Sequence, residues 1–399
     1  MHPRFQPSRL VARAWWATVA LFLLHGLVVA TWVSRIPAIQ SSLHLNNGVL
    51  GMDLLCAAIG SVIAIPFTGI LINRYGSKRI SIVSSAAFCV ALTGPALALN
   101  AVTLGAALLI LGAAAASMDV SMNAHGVEVE KELGHPTMSR FHAMFSLGAM
   151  FGAGVGGIIA ARGLPPLPHF AASSLVYLLA VLLAGPFLMS SQHAAAPGGH
   201  RLPFRNIPAV LVALSAIAFC MLLSEGAMAD WTAVYLKQVL NADPGTAAAG
   251  YSAFSATMAI FRLAGDWITA KLGSALAVRS GSLVGACGLL WALCSQSAAW
   301  ALPGFAAVGC GFSIIIPLVF GSGGRVANVS PGAGIATVTG IGYIGFIIGP
   351  PTIGFASQLV TLRYALGVVV ACCLITALLA ASLRNVGSGP GIAASPEAL

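Results

Sequence analysis

The chain has 399 residues, of which 58% are hydrophobic and 7% charged, and it carries a formal net charge of +9. Soluble domains hold about a quarter charged residues, so this composition excludes a soluble globule and points to a protein of the lipid bilayer. The basic residues sit in short connections between apolar runs, which excludes a nucleic-acid-binding surface. The eight cysteines lie inside apolar runs without CxxC spacing, which excludes a disulfide framework or zinc site.

The first apolar run follows Arg4, Arg9 and Arg13 and continues from Trp15 to Val33. That is too long for the core of a signal peptide, so it reads as a first membrane helix. Eleven further runs of adequate length follow. The twelve predicted spans are 14–36, 48–72, 79–99, 101–125, 138–162, 169–190, 207–236, 246–270, 277–296, 298–321, 331–356 and 362–383. Continuous hydrophobicity predicts helices, because barrel strands are shorter and alternate. The expected fold is an all-α integral membrane protein of twelve transmembrane helices.

Residues 191–206 form the longest internal polar stretch and divide the chain. The expected organisation is an N-terminal six-helix bundle over 1–190, a cytoplasmic linker over 191–206, a C-terminal six-helix bundle over 207–384 and a disordered cytoplasmic tail over 385–399. With both termini placed in the cytoplasm, the inner loops and tails hold fourteen Lys and Arg residues against four outside, which are Arg35, Arg162, Lys237 and Arg363. That asymmetry predicts the orientation.

The two halves read as repeats. Gly148, Gly152 and Gly157 in span 5 recur as Gly345, Gly349 and Gly354 in span 11, each pair 197 residues apart. Arg74 and Gly76 recur as Lys271 and Gly273 at the same offset, and "HGLVVATW" at 25–32 resembles "EGAMADW" at 225–231. Two repeated six-helix halves predict a pseudo-symmetric pair of bundles rocking around a central site. Pro350 and Pro351 are expected to kink span 11.

The stretch "GILINRYGSKR" at 69–79 resembles the cytoplasmic signature of the major facilitator superfamily. Gly69 is read as a close-approach position, Gly76 as a tight turn, and Arg74, Lys78 and Arg79 as an inner-surface cluster. Asn73 stands where the family carries an aspartate, which weakens the charge-based latch. "DVSMNAHG" at 119–126 is similar to the acid-x-x-x-Asn pattern of fucose-permease-like transporters, and "IPFTGILI" at 65–72 resembles the same branch. That branch's helix 1 carboxylate has no counterpart near Trp32–Arg35. The resemblance implies an alternating-access transporter of the bacterial inner membrane, not an enzyme. It implies a monomer whose partners are a small-molecule solute, protons and the bilayer, with no cofactor and no metal.

Charged and polar residues inside a membrane run are costly and therefore mark function. Asp119 and Asn123 share one helix face at i,i+4; Asp119 is expected to take part in proton coupling and Asn123 to line the substrate cavity, with Arg140 as the alternative structural partner. Glu225 and Asp230 point about 140° apart on a helix and cannot form one paired-acid site. Glu225 is expected to couple protons opposite His25, whose intrinsic pKa suits exchange. Asp230 is expected near the outer mouth with Trp231, and Trp32 and Trp231 as aromatic walls of the cavity. Arg35 is expected to form an outer gate with Asp53 or Asp230. Arg262 and Asp266, at i,i+4, are expected to form an intrahelical or inter-half conformational latch.

Two further functions stay open on the sequence. The glycine-rich span 5 and Gly349-Pro350-Pro351 in span 11 keep proton-linked export of a drug or metabolite beside proton symport of a sugar- or polyol-like solute. A non-transporting membrane sensor is the third reading.

Overall fold

The computed structural model describes residues 8–190, 207–327 and 329–386. The predicted linker at 191–206 and the tail from 387 onward lie outside the described residues. Sixteen α-helices follow one another: α1 (Arg9–Val33), α2 (Ile36–Ser42), α3 (Asn47–Tyr75), α4 (Ser77–Ala91), α5 (Ala101–Leu133), α6 (Met138–Ala161), α7 (Pro166–Ala184), α8 (Ala209–Val239), α9 (Pro244–Leu263), α10 (Gly265–Leu272), α11 (Ser274–Cys294), α12 (Ala298–Phe312), α13 (Ile315–Gly323), α14 (Pro331–Leu359), α15 (Leu362–Ala365) and α16 (Gly367–Leu379).

Among the described residues, eleven helical segments are long and apolar enough to cross a membrane. The remaining predicted span, 246–270, folds as α9 and α10 with a break at Ala264. Gly265 favours that break, and Arg262 and Asp266 beside it interrupt the apolar run. The predicted span 298–321 is likewise broken, into α12 and α13. Pro350 and Pro351, by contrast, both lie within the single helix α14.

Helix boundaries follow local chemistry. Asn46 caps α3 by accepting from the Val49 amide, Asn100 and Thr103 form a reciprocal capping box on α5, and Asp243 caps α9 ahead of Pro244. Gly76 and Gly273 end α3 and α10 with φ of 84° and 73°, backbone that a side chain resists. The two glycines are the repeat pair expected from the sequence.

Close packing also repeats. A Cβ at Gly148 would collide with the Leu23 carbonyl, and one at Gly345 with the Phe219 carbonyl. One at Gly112 would collide with the Ala57 carbonyl, and one at Gly309 with the Phe254 carbonyl. Both residues of the second relation are displaced by 197 positions. Small residues let helix backbones approach where lipid offers no hydrophobic driving force, so the pairs α1–α6 and α8–α14, then α3–α5 and α9–α12, pack in equivalent ways. The pairs α3–α14 and α6–α9 join the first six predicted spans to the second six. Gly69 differs from its expected role: nothing lies within 4 Å of a Cβ placed there, so it makes no close approach in this conformation.

The helices run up and down between two ends. One end holds the Lys- and Arg-rich connections. There Lys78 Nζ donates to the Pro186 and Leu188 carbonyls, at 2.9 and 2.6 Å, and Ser77 Oγ donates to Glu128 at 2.7 Å. The opposite end is closed by amides. Gln40 donates to Asn47 at 2.8 Å, Asn47 to Gln238 at 3.1 Å, Gln238 back to Gln40 at 3.0 Å, and Gln358 to Asn46 at 2.7 Å. These bonds tie α2 and the start of α3 to the ends of α8 and α14.

Candidate functional site

A cavity of about 450 Å³ lies in the half of the molecule that carries the basic connections. Asp119 and Asn123 line it from α5, His142 from α6, Arg262 from α9, Asp266 from α10, Ser313 from the α12–α13 break and Tyr343 from α14. Ser139 and Asp266, near its rim, are exposed.

The polar groups of this cavity hold one another in place. Asn123 Nδ2 donates to the Asp119 backbone carbonyl at 2.8 Å and to its carboxylate at 3.0 Å. The i,i+4 spacing read from the sequence therefore produces a real contact. Arg262 is half-buried and its guanidinium lies 3.9 Å from the Glu225 carboxylate of α8. It also donates to Ser146 Oγ at 2.8 Å and, at longer range, to the His142 and Ser313 carbonyls at 3.5 and 3.4 Å. One half-buried cation thus joins α9 to α6, α8 and the α12–α13 break.

Several expected pairings do not form. Arg262 pairs with Glu225 rather than with Asp266, because its side chain crosses to α8 instead of following its own helix. Arg35 donates to the Leu164 carbonyl in the α6–α7 connection and pairs with neither Asp53 nor Asp230. Arg35 lies at the break between α1 and α2, which turns it toward α6, whereas Asp53 faces Cys56 and Gly105 on the α3–α5 side. His25 does not face Glu225. It is buried between Phe88 and Phe145, with ring centroids 5.3 Å from each, and among the described residues neither ring nitrogen has a hydrogen-bond partner. Trp231 is fully buried and lines none of the cavities described here, whereas Trp32 lines a second cavity together with Asp230.

The signature-like stretch stays at the basic end. Asn73, Arg74 and Arg79 are exposed there, with the Arg74 guanidinium 5.2 Å from the Tyr75 ring centroid, while Lys78 caps the end of the α7 segment. Arg140 is exposed and, among the described residues, forms no ion pair with Asp119.

The second cavity, of about 150 Å³, is reached by α1, α3, α4, α5, α8 and α14. His142, Ser146 and Tyr343 were not singled out by the sequence. A histidine inside an apolar run is the same signal that marks His25, so His142 was legible in principle; Ser146 and Tyr343 were not, since serine and tyrosine are ordinary in membrane helices.

The comparisons with known proteins agree with this architecture. The Major Facilitator Superfamily profile matches residues 17–330. An MFS-type transporter of Yersinia pestis, described as uncharacterised, is 35% identical over 371 residues, covering 93% of this chain and 95% of the relative. A crystal structure of a variant of the nucleoside transporter NupG superposes with a TM-score of 0.72 at 13% identity, covering 95% of this chain and all of that one. A crystal structure of the E. coli fucose:proton symporter FucP superposes with a TM-score of 0.60 at 16% identity, covering 94% of this chain and 99% of that one. A polar cavity between packed helices, a near-full-length relative and these two folds converge on one conclusion: the chain belongs to the major facilitator superfamily, as a multi-pass membrane transporter rather than an enzyme.

Proposed function

We propose that the chain is a proton-coupled secondary transporter of the bacterial inner membrane that moves a small polar organic solute by alternating access between two six-helix bundles, residues 1–190 and 207–384. The basic end then faces the cytoplasm with both termini, as the Lys and Arg asymmetry favours. The conformation described above is inward-facing, with the larger cavity on the cytoplasmic side and the amide cluster closing the outer side. The protein works as a monomer.

One observation carries this reading. Two membrane-embedded carboxylates serve one polar cavity: Asp119 lines it beside Asn123, and Glu225, behind the lining, is linked to it through Arg262 at 3.9 Å. Acids in such places are costly and serve ion pathways or proton relays. When Glu225 is ionised it holds Arg262; when it is protonated that attraction is lost, and Arg262 is free to change partners between α8 and α6. Asp119, held by a neutral amide, takes and releases a proton without breaking an ion pair. The cavity's hydroxyl, amide and imidazole groups suit a sugar- or polyol-like solute, and the nucleoside transport of NupG and the fucose:proton symport of FucP fit a solute of that kind.

The test is solute uptake into proteoliposomes under an imposed pH gradient, with a panel of sugars, polyols and nucleosides. Accumulation inside alkaline vesicles supports symport. Gradient-driven efflux replaces it with the export reading, which the glycine-rich α6 and Gly349-Pro350-Pro351 favour. Absence of flux for every solute overturns transport and leaves the sensor.

A further inference from the structure

The second cavity has a different chemistry from the first. Its walls are apolar, with the rings of Trp32, Phe88 and Phe346 among them, and it contains two polar side chains, Ser61 and Asp230. The Ser61 hydroxyl is already committed to backbone, at 3.0 Å from the Ala57 and Gly112 carbonyls. Asp230 makes no hydrogen bond and no ion pair among the described residues. Two arginines of the membrane segments are spent elsewhere: Arg262 on Glu225, and Arg35 on the Leu164 carbonyl at another cavity.

The placement of Asp230 follows from α8. It lies one turn beyond Gly226, on the same face, and the Phe346 ring of α14 sits over Gly226, 3.2 Å from where a Cβ would be. The missing side chain at Gly226 therefore lets Phe346 lean in beside Asp230. Trp32, Phe88 and Phe346 supply the aromatic part of the lining.

An ionised carboxylate in an apolar chamber demands a positive partner. A polyol placed here would leave most of its hydroxyls without partners, each at a desolvation cost. An anion would be repelled by Asp230. An ammonium on an apolar body meets both features, since the carboxylate neutralises it and the aromatic faces attract it. A cavity of about 150 Å³ is large enough for a benzene-sized ring.

We infer that this cavity is a recognition site for small organic cations, in which Asp230 binds a primary ammonium and Trp32 and Phe346 hold the apolar body. The inference rests on the transport reading and replaces its sugar- or polyol-like solute, since it assigns the substrate a cationic group on an apolar body.

The purified full chain in nanodiscs is titrated calorimetrically with three ligands that share one ring: benzylamine, benzyl alcohol and benzoate. Benzylamine is expected to bind at least about tenfold more tightly than the other two, as charge-assisted hydrogen bonds exceed neutral ones. Asp230→Asn is expected to remove that preference, and Trp32→Leu to weaken benzylamine while keeping the order of the three. Equal binding of benzyl alcohol and benzylamine by the unaltered chain overturns the inference without any variant, as does an unchanged benzylamine affinity in Asp230→Asn. Vesicle flux separates the two readings. No benzylamine binding beside gradient-driven flux of another solute overturns this inference alone, and benzylamine binding without flux of any solute overturns transport alone.

Discussion

Asp119 and Glu225 keep different company, and that difference sets what their substitution should do. Asp119 is bonded by the Asn123 amide, which can serve a protonated or an ionised acid. Asp119→Asn should therefore leave the fold and solute counterflow intact while abolishing accumulation driven by a pH gradient; accumulation at the wild-type level removes Asp119 from the coupling path. Glu225→Gln removes the only carboxylate paired with Arg262 among the described residues. The pair is 3.9 Å apart and neither side chain is fully buried, so the loss should be modest, about 1 kcal/mol. Thermal unfolding should report it, together with a flattened pH profile of transport; an unaltered profile makes Glu225 structural. The sequence exposed the Asp119–Asn123 contact because i,i+4 residues meet on one helix. Of the two latches open for Arg262 and Asp266, the intrahelical pair does not form, since a spacing argument sees partners only on its own helix, whereas Arg262 reaches Ser146 of the first six spans and Glu225 of α8. His25 was over-read for a related reason: its residue type suggests exchange, but its place between two phenylalanines keeps it from the cavity.

At the scale of helices, the glycines divide into two kinds that composition alone does not distinguish. Gly309 lies against the Phe254 carbonyl, whereas Gly69 faces open space. Gly309→Ala should push α12 from α9 and cost about 1–3 kcal/mol, the usual price of overpacking. Gly69→Ala should instead be neutral or stabilising by about 0.5–1 kcal/mol, since alanine loses less backbone freedom in a helix. Melting temperatures in detergent decide this, and similar shifts for both would show that the packing distinction is wrong. The start of α9 allows a pH test outside the membrane helices. The Asp243 carboxylate accepts from the Thr246 hydroxyl and from the Thr246 and Gly245 amides, which holds its pKa below the usual range. A group with a lowered folded pKa stabilises above its unfolded value, near 4, and loses that contribution as pH falls through the folded value. Asp243→Ala should thus cost about 0.5 kcal/mol at neutral pH, the low end for an exposed cap, and the difference from wild type should vanish at strongly acid pH. A difference that persists there would locate the effect in helix propensity rather than in the cap.

For the whole molecule, the sequence exposed the helix order and the 197-residue repeat because hydropathy and small residues are read locally and repeat at a fixed offset. It missed the breaks at Ala264 and near Ser313, which interrupt otherwise apolar runs, and it missed entirely the amide closure at the end opposite the basic connections. Charge was the guide to gates, and it led to Arg35 and Asp53; the closure is built from uncharged Gln40, Asn47, Gln238, Asn46 and Gln358, separated in sequence by up to 312 residues. Uncharged side chains at helix ends carry no signal of a distant partner. If the halves rock as proposed, this cluster must open when the larger cavity closes, so its bonds contribute directly to the difference between the two states. Gln238 makes three of its contacts, two with Asn47 and one with Gln40. Neutral hydrogen bonds contribute about 0.5–1.5 kcal/mol each, and water satisfies the freed groups in the open state, so Gln238→Ala should shift the equilibrium toward outward-open by about 1–3 kcal/mol. Nitroxide labels at Ser42→Cys and Lys237→Cys, in a chain whose eight native cysteines are replaced, read the distance across this end. A longer-distance population should grow several-fold or more in Gln238→Ala, and Gln238→Asn, which keeps the amide on a shorter arm, should fall between. An unchanged distance distribution in Gln238→Ala would mean that the closure is held by helix packing alone and that the amides only decorate it.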